Sequence, residues 1–291
     1  MKHGSAITSF DDLKVVLREV GHLLFYTSIS LSLPLLISLI LAEGPASYVS
    51  YLFSMLIGFL LGGAFTLLGR TKSHTRVMHA MVSAAVIWPL FVAVAAIPFM
   101  SAGHITYINA YFETMSAVTT TGLSVISPII GTMPLSLVFW RTFIAWVGGI
   151  GIIVLALTGV LKSYTHSVKL AEAEGREERI RPNILNTLKE IWVIYVGFTI
   201  FGILLLMATG MPAWHAMNYG MNAISTTGNV SNPSGLIEFN SVWTHMALAL
   251  IMLLGAMSFA VHDKFFRKRK LWAYLTNVEL RLLLLDRKSV V

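Results

Sequence analysis

Cysteine is absent from the chain, which excludes a disulfide framework and thiolate metal ligation. Charge is scarce. Only 12% of residues are Asp, Glu, Lys or Arg, where soluble domains carry roughly 25%. The nine histidines include no pair at the i, i+4 spacing of helical metal ligands. No cluster of His, Asp or Cys falls within an apolar run, which leaves an intramembrane enzyme, one of the competing readings, without a nucleophile, base or metal. The net charge of +7 raises nucleic acid as a partner. In a polytopic membrane chain, however, basic residues collect in cytoplasmic loops for topological reasons, and no nucleic acid partner is expected.

Apolar residues fill the space that charge leaves. They make up 56% of the 291 residues, and the mean hydropathy is +0.74. A helical span needs about 20 apolar residues to cross roughly 30 Å of hydrocarbon. Six runs meet or approach that length: 23–41, 48–68, 77–100, 135–161, 191–208 and 242–261. Residues 1–21 mix acidic with basic side chains, and no small-residue cleavage site follows, so a cleaved signal peptide is not expected. Two shorter apolar stretches, 107–118 and 212–224, cannot span, because about 12 residues of helix cover only about 18 Å. Backbone that breaks off at membrane depth is tolerated only inside protein or along a water-filled path. The fold expected is therefore an all-α polytopic membrane protein, with an N-terminal helical hairpin followed by two repeats of membrane helix, pore helix, filter and membrane helix.

Charge placement fits that count. With the short stretches dipping in and out on one side, Arg141 is the only one of the 21 basic residues on the side of Glu43, His104 and Glu238. The others lie in the N-terminal arm, at 70–76, 162–189 and 264–288. Both termini are then cytoplasmic, and the protein is a multi-pass plasma membrane protein in contact with lipid. The chain accordingly divides into an arm and hairpin (1–76), a first pore repeat (77–162), a cytoplasmic linker (163–187), a second pore repeat (188–263) and a basic C-terminal arm (264–291). The linker reads as a surface helix or a solvated segment. The basic run at 264–270 reads as an interfacial anchor before an amphipathic helix.

A shift of 106 positions superimposes MSAVTTTG (115–122) on MNAISTTG (221–228). Each block follows a full span and a half-length helix, and repeats seen both in residues and in hydropathy mark channel and transporter architecture. The chemistry suits a dehydrated monovalent cation, which needs several oxygens in place of water and little fixed charge. Gly122 and Gly228 permit the backbone angles that aim carbonyls at an axis. The hydroxyls of Thr119, Thr120, Thr121, Ser225, Thr226 and Thr227 add oxygens or bond neighbouring backbone. The carbonyl pole of each short helix favours a cation at the same place.

The segments YFETMSAVTTTGLSV (111–125), WRTFIAWVGGIGIIVL (140–155) and NAISTTGNVSNPSG (222–235) resemble the Trk/Ktr/HKT superfamily of potassium transporters. The resemblance covers essentially the whole chain but only about the first half of the family's usual length. It implies potassium uptake, with potassium as the transported ligand and no organic cofactor. The implied potassium-binding residues are Thr119, Thr120, Thr121, Gly122, Leu123, Ser225, Thr226, Thr227, Gly228 and Asn229. Glycine at both filter positions favours potassium over sodium in this family. Members carry four repeats around the pore, so two filter segments leave half the coordinating carbonyls to be supplied. A second copy, a separate chain, or a longer polypeptide of which this is a fragment would supply them, and a non-conducting assembly half is the alternative. The resemblance also implies a cytosolic nucleotide-binding regulatory subunit docking on 162–189 and the basic C-terminal arm.

Of the remaining residues, Glu113 and Arg141 are the only charges placed in the outer half of the repeat core. Intramembrane charges usually pair, and a structural ion pair bracing the first pore helix is expected. Trp146, Gly148, Gly149 and Gly151 suit close helix approach, and Pro89 and Pro98 suit kinks in the third span. His74 and His79 read as solvated or interfacial, and His104 and His215 as outward-facing.

Overall fold

The computed structural model describes residues 9–73, 77–151, 184–257 and 261–262. The predicted linker, the C-terminal arm and the regulatory docking segments fall largely or wholly outside these. The helices are α1 (Phe10–Ser30), α2 (Ser32–Ile40), α3 (Pro45–Leu68), α4 (Val77–Ala95), α5 (Ile97–Ser101), α6 (Tyr107–Val118), α7 (Leu135–Gly151), α8 (Ile184–Ala208), α9 (Ala213–Ile224) and α10 (Val242–Ala256). No strand occurs among the described residues. Two compact units form. The first contains the described residues up to Ala145 together with Ser231–Pro233, and the second contains Trp146–Val230 and the described residues from Ser234 onward.

Among the described residues, four apolar stretches are long enough to cross a membrane: Phe10–Ile40, Pro45–Leu68, Met81–Ser101 and Leu188–Ala208. Leu135–Gly151 and Val242–Ala256 are shorter apolar helices, whose predicted continuations enter residues outside the described set. The first helix starts well before the predicted span. Ser9 and Asp12 form a reciprocal capping box, Asp12 N donating to Ser9 Oγ at 3.1 Å and Ser9 N to Asp12 Oδ2 at 3.3 Å. A cap of this kind stabilises a helix start by about 1 kcal/mol, so the polar arm from Phe10 onward is helical.

The hairpin is polar and small inside and apolar outside. On α3 the buried residues are Ser47, Ser50, Tyr51, Ser54, Gly58 and Gly62, while Leu52, Phe53, Leu56 and Leu60 are exposed. Lipid gives apolar groups no reason to turn inward, so small residues that admit a neighbouring backbone define the packed face. Gly58 and Gly62 meet α1 in this way: an added Cβ at Gly58 would collide with Ser28 Oγ, and one at Gly62 would lie 3.0 Å from the Gly21 carbonyl oxygen.

The third span is interrupted where Pro98 lacks the N–H that would bond the Val94 carbonyl. Ser54 Oγ donates to that oxygen instead, at 2.6 Å, and Trp140 Nε1 donates to the neighbouring Ala95 oxygen at 3.1 Å. The helix ends at Ala95 and restarts at Ile97, whereas Pro89 sits inside α4.

His79 departs from its expected solvated role. It is 2% exposed, and its Nε2 lies 2.8 Å from Asp12 Oδ1, joining α1 to α4. The sequence separation of 67 residues hid the partner.

Gly58→Leu should destabilise the hairpin, because overpacking a tight contact costs about 1–3 kcal/mol. A lower thermal midpoint of the purified protein in detergent is expected, and an unchanged midpoint would contradict this packing.

Candidate functional site

Each short helix ends in the same turn. In the first unit Thr119 caps α6, with φ −85°. Thr120 N donates to Ala117 O at 2.9 Å and Thr121 N to Ser116 O at 2.9 Å. In the second, Ser225 caps α9, with φ −81°. Thr226 N donates to Ala223 O at 3.1 Å and Thr227 N to Asn222 O at 3.0 Å. This is the Schellman arrangement, in which the residue after the cap is left-handed and is usually glycine. Here threonine occupies it twice, with φ +56° at Thr120 and +55° at Thr226. A β-branched residue in that region is strained by about 1–2 kcal/mol, and such strain persists where the surroundings over-determine it.

Two residues on, the left-handed conformation returns at Gly122 (φ +76°) and Gly228 (φ +77°). Of residues 119–122 and 225–228, only these threonines and glycines have positive φ. A strand with φ of constant sign points successive carbonyls to opposite sides; alternating handedness undoes that alternation. An added Cβ at Gly228 would meet nothing within 4 Å, so its angle, and not crowding, requires glycine.

The hydroxyls repeat the pattern. Thr119 Oγ1 donates to Met115 O at 2.8 Å and lies 2.8 Å from Thr121 Oγ1. Ser225 Oγ donates to Asn222 O at 3.2 Å and lies 2.8 Å from Thr227 Oγ1. Both hydroxyl pairs hold the turn, and the backbone oxygens go unused. Among the described residues no protein donor reaches the carbonyls of Thr119, Thr120, Thr121 or Gly122, nor those of Ser225, Thr226, Thr227 or Gly228. Two runs of four bare carbonyls are an oxygen-rich ligand set of the hard, neutral kind that suits a monovalent cation.

The two units brace these turns differently. In the first, Glu113 on α6 and Arg141 on α7 are both 1% exposed, and Arg141 Nη1 donates to Glu113 Oε1 at 2.9 Å. The same carboxylate accepts from Ser124 Oγ at 2.8 Å and from Val125 N at 2.9 Å. It therefore fixes the backbone just beyond Leu123, which is itself 62% exposed. Glu113 is an anchor for the chain leaving the turn and makes no contact with the bare carbonyls.

In the second unit the position 106 residues after Glu113 is Tyr219, and buried amides replace the ion pair. Asn218, Asn222 and Asn229 are each 5% exposed or less, and Asn218 Nδ2 donates to Trp214 O at 2.9 Å. Two glycines seat neighbouring helices against this turn. A Cβ on Gly149 would lie 3.0 Å from Ser225 Cβ, and one on Gly255 would collide with the Ile224 carbonyl. Tyr195 holds the first of these helices by donating to Trp146 O at 2.8 Å. Gly255 and Ser124 escaped the sequence reading; a lone glycine in the last turn of an apolar run, and a serine just past the filter, were the only signals.

Among the described residues no group of three His, Asp, Glu or Cys side chains could hold a metal ion. His104, with φ +52°, lies before α6. His215 on α9 packs on Phe239 with ring centroids 5.1 Å apart.

Long apolar helices together with two copies of a half-length helix and a bare-carbonyl turn define a polytopic helical membrane protein of the transporter class. The family model described as TrkH, cation transport protein, matches residues 49–290. The chain belongs to that family, within the Trk/Ktr superfamily of transporter membrane subunits, which are not enzymes. It is 34% identical over 256 residues to an uncharacterized cation transporter of Methanocaldococcus jannaschii, covering 87% of this chain and 52% of that one. It is 26% identical over 277 residues to the Trk system potassium uptake protein TrkH of Escherichia coli K12, covering 92% and 56%. The crystal structure of the potassium transporter TrkH from Vibrio parahaemolyticus shares its fold, with a TM-score of 0.77 at 24% identity, over 94% of this chain and 56% of that one. The chain thus spans about half the length of the curated relatives it matches.

Arg141→Met should lower stability by about 3–5 kcal/mol, because it leaves a buried carboxylate without its counter-charge. Adding Glu113→Gln should restore part of the loss. Thermal unfolding in detergent checks both, and an additive double variant would contradict direct pairing.

Proposed function

We propose that this chain carries potassium ions across the plasma membrane as part of a pore in which it supplies two of four filter segments. The observation that carries the reading is the pair of bare-carbonyl turns with the same alternating backbone, at Thr119–Gly122 and Ser225–Gly228. Leu123 and Asn229 complete the two proposed ion-contacting stretches. Family membership supports cation transport as the class of activity, and relatives named as Trk potassium uptake proteins support potassium as the ion.

Ion entry would draw on the membrane potential, worth about 2.3 kcal/mol per charge per 100 mV. The remaining filter segments come from a second copy, a separate chain or a longer polypeptide. A polar groove left facing lipid is costly, so the ring requires one of these. The distribution of basic residues supports a cytoplasmic position for both termini. A cytosolic nucleotide-binding regulator would dock on 162–189 and on the basic C-terminal arm, 264–291.

The test is growth of potassium-uptake-deficient cells at low potassium, expressing the chain alone or with candidate completing chains. Rescue in either arrangement supports the reading and identifies the source of the missing segments; no rescue in any arrangement, with the chain present in the membrane, overturns it. Gly228→Val should reduce uptake by at least about tenfold, because a β-branched residue cannot adopt its φ without strain. Gly122→Ser should let sodium compete with potassium, and unchanged uptake and selectivity in both variants would contradict these filter assignments.

A further inference from the structure

The N-terminal hairpin lies outside the repeat, yet α7, which carries Arg141, is attached to it through two hairpin residues, Glu43 and Tyr51. Glu43, in the loop between α2 and α3, accepts from Ser136 N at 2.9 Å and also from Ser136 Oγ. Tyr51 on α3, fully buried, places its hydroxyl 3.0 Å from Ser136 Oγ. Further along α7, Trp140 Nε1 donates to the Ala95 oxygen at the end of α4, which the helix break before Pro98 leaves available.

Ser136 is the second residue of α7, so its N–H is one of the donors a helix start leaves unsatisfied. A carboxylate there satisfies the donor and interacts favourably with the positive end of the helix. Arg141 follows five residues later, a rise of about 7.5 Å along the same helix. It donates to Glu113, and Glu113 holds Ser124 Oγ and Val125 N beyond the first filter turn. Glu43, Ser136, α7, Arg141, Glu113 and Val125 thus form a continuous chain of contacts within the first unit. Each link except the helix itself is a hydrogen bond to a charged group, the stronger kind.

We infer that Glu43 is a positioning residue for the first filter segment, setting the depth and rotation of α7 and thereby the place where Arg141 and Glu113 pin the backbone after Gly122. The hairpin then acts as the fixed frame of the filter as well as packing against the repeat. This role rests on the proposed transport function for its physiological meaning, but the mechanical coupling stands on the contacts alone.

Hydrogen–deuterium exchange of the purified chain in detergent with potassium, comparing wild type, Glu43→Gln and Ser136→Ala, reads the coupling without requiring conduction. For Glu43→Gln the expected result is roughly tenfold faster exchange in a peptide covering 119–126, as well as at the start of α7, the factor that losing one charge-assisted hydrogen bond implies. Faster exchange confined to 134–138, with 119–126 at the wild-type rate, overturns the inference and leaves Glu43 a local helix cap. Should Glu43→Gln fail to fold, Ser136→Ala, which keeps the backbone donor, decides between the same two outcomes. In uptake-deficient cells rescued by the wild type, Glu43→Gln should also raise sodium competition at matched surface level, and unchanged selectivity there counts against a positioning role. If the wild type conducts nothing, the transport reading fails while the exchange result still decides the coupling.

Discussion

A backbone carbonyl at membrane depth that lacks a hydrogen-bond donor costs several kcal/mol unless water or an ion takes the donor's place. Among the described residues, the repeat keeps two runs of four backbone oxygens bare. Other local features fit that constraint. The Schellman turn uses the carbonyls at the end of each short helix and redirects the chain, so those left open are the ones that follow. Hydroxyls that would otherwise bond the filter backbone are paired with each other, Thr119 with Thr121 and Ser225 with Thr227. Strain at Thr120 and Thr226 belongs to the same arrangement, since relaxing either to negative φ would break the alternation of backbone handedness.

The two units reach this state by different means. The first uses an ion pair with 1% exposure at each end, whose value lies in placement, because burying charge recovers little net stability. The second uses small residues, Gly149 and Gly255, that let helices close on the turn, with buried amides along α9. A duplicated turn therefore does not imply a duplicated support. The first turn is held through charge and the second through close packing.

Much of this was legible in the sequence because membrane burial makes rare residues informative. Two half-length apolar stretches ending in Thr-Thr-Gly could be recognised without any contact information, and Glu113 and Arg141 stood out as the charges set in the outer half of the repeat core. The geometry at Thr120 and Thr226 was not legible, because threonine is a poor candidate for a left-handed angle and only the helix end forces it. Glu43 and His79 were missed for another reason: their partners lie 93 and 67 residues away, and periodicity carries no long-range pairing. The early start of α1 was hidden by polar residues that form a cap.

The central claim is that the bare carbonyls of Thr119–Gly122 and Ser225–Gly228 take a cation. Anomalous diffraction from crystals of the assembled protein grown in rubidium, a potassium surrogate, locates the ion directly. The account predicts anomalous density at coordination distance from these carbonyls, lost when sodium replaces rubidium. Ordered rubidium elsewhere, with these oxygens occupied by water or protein donors in both salts, would contradict it.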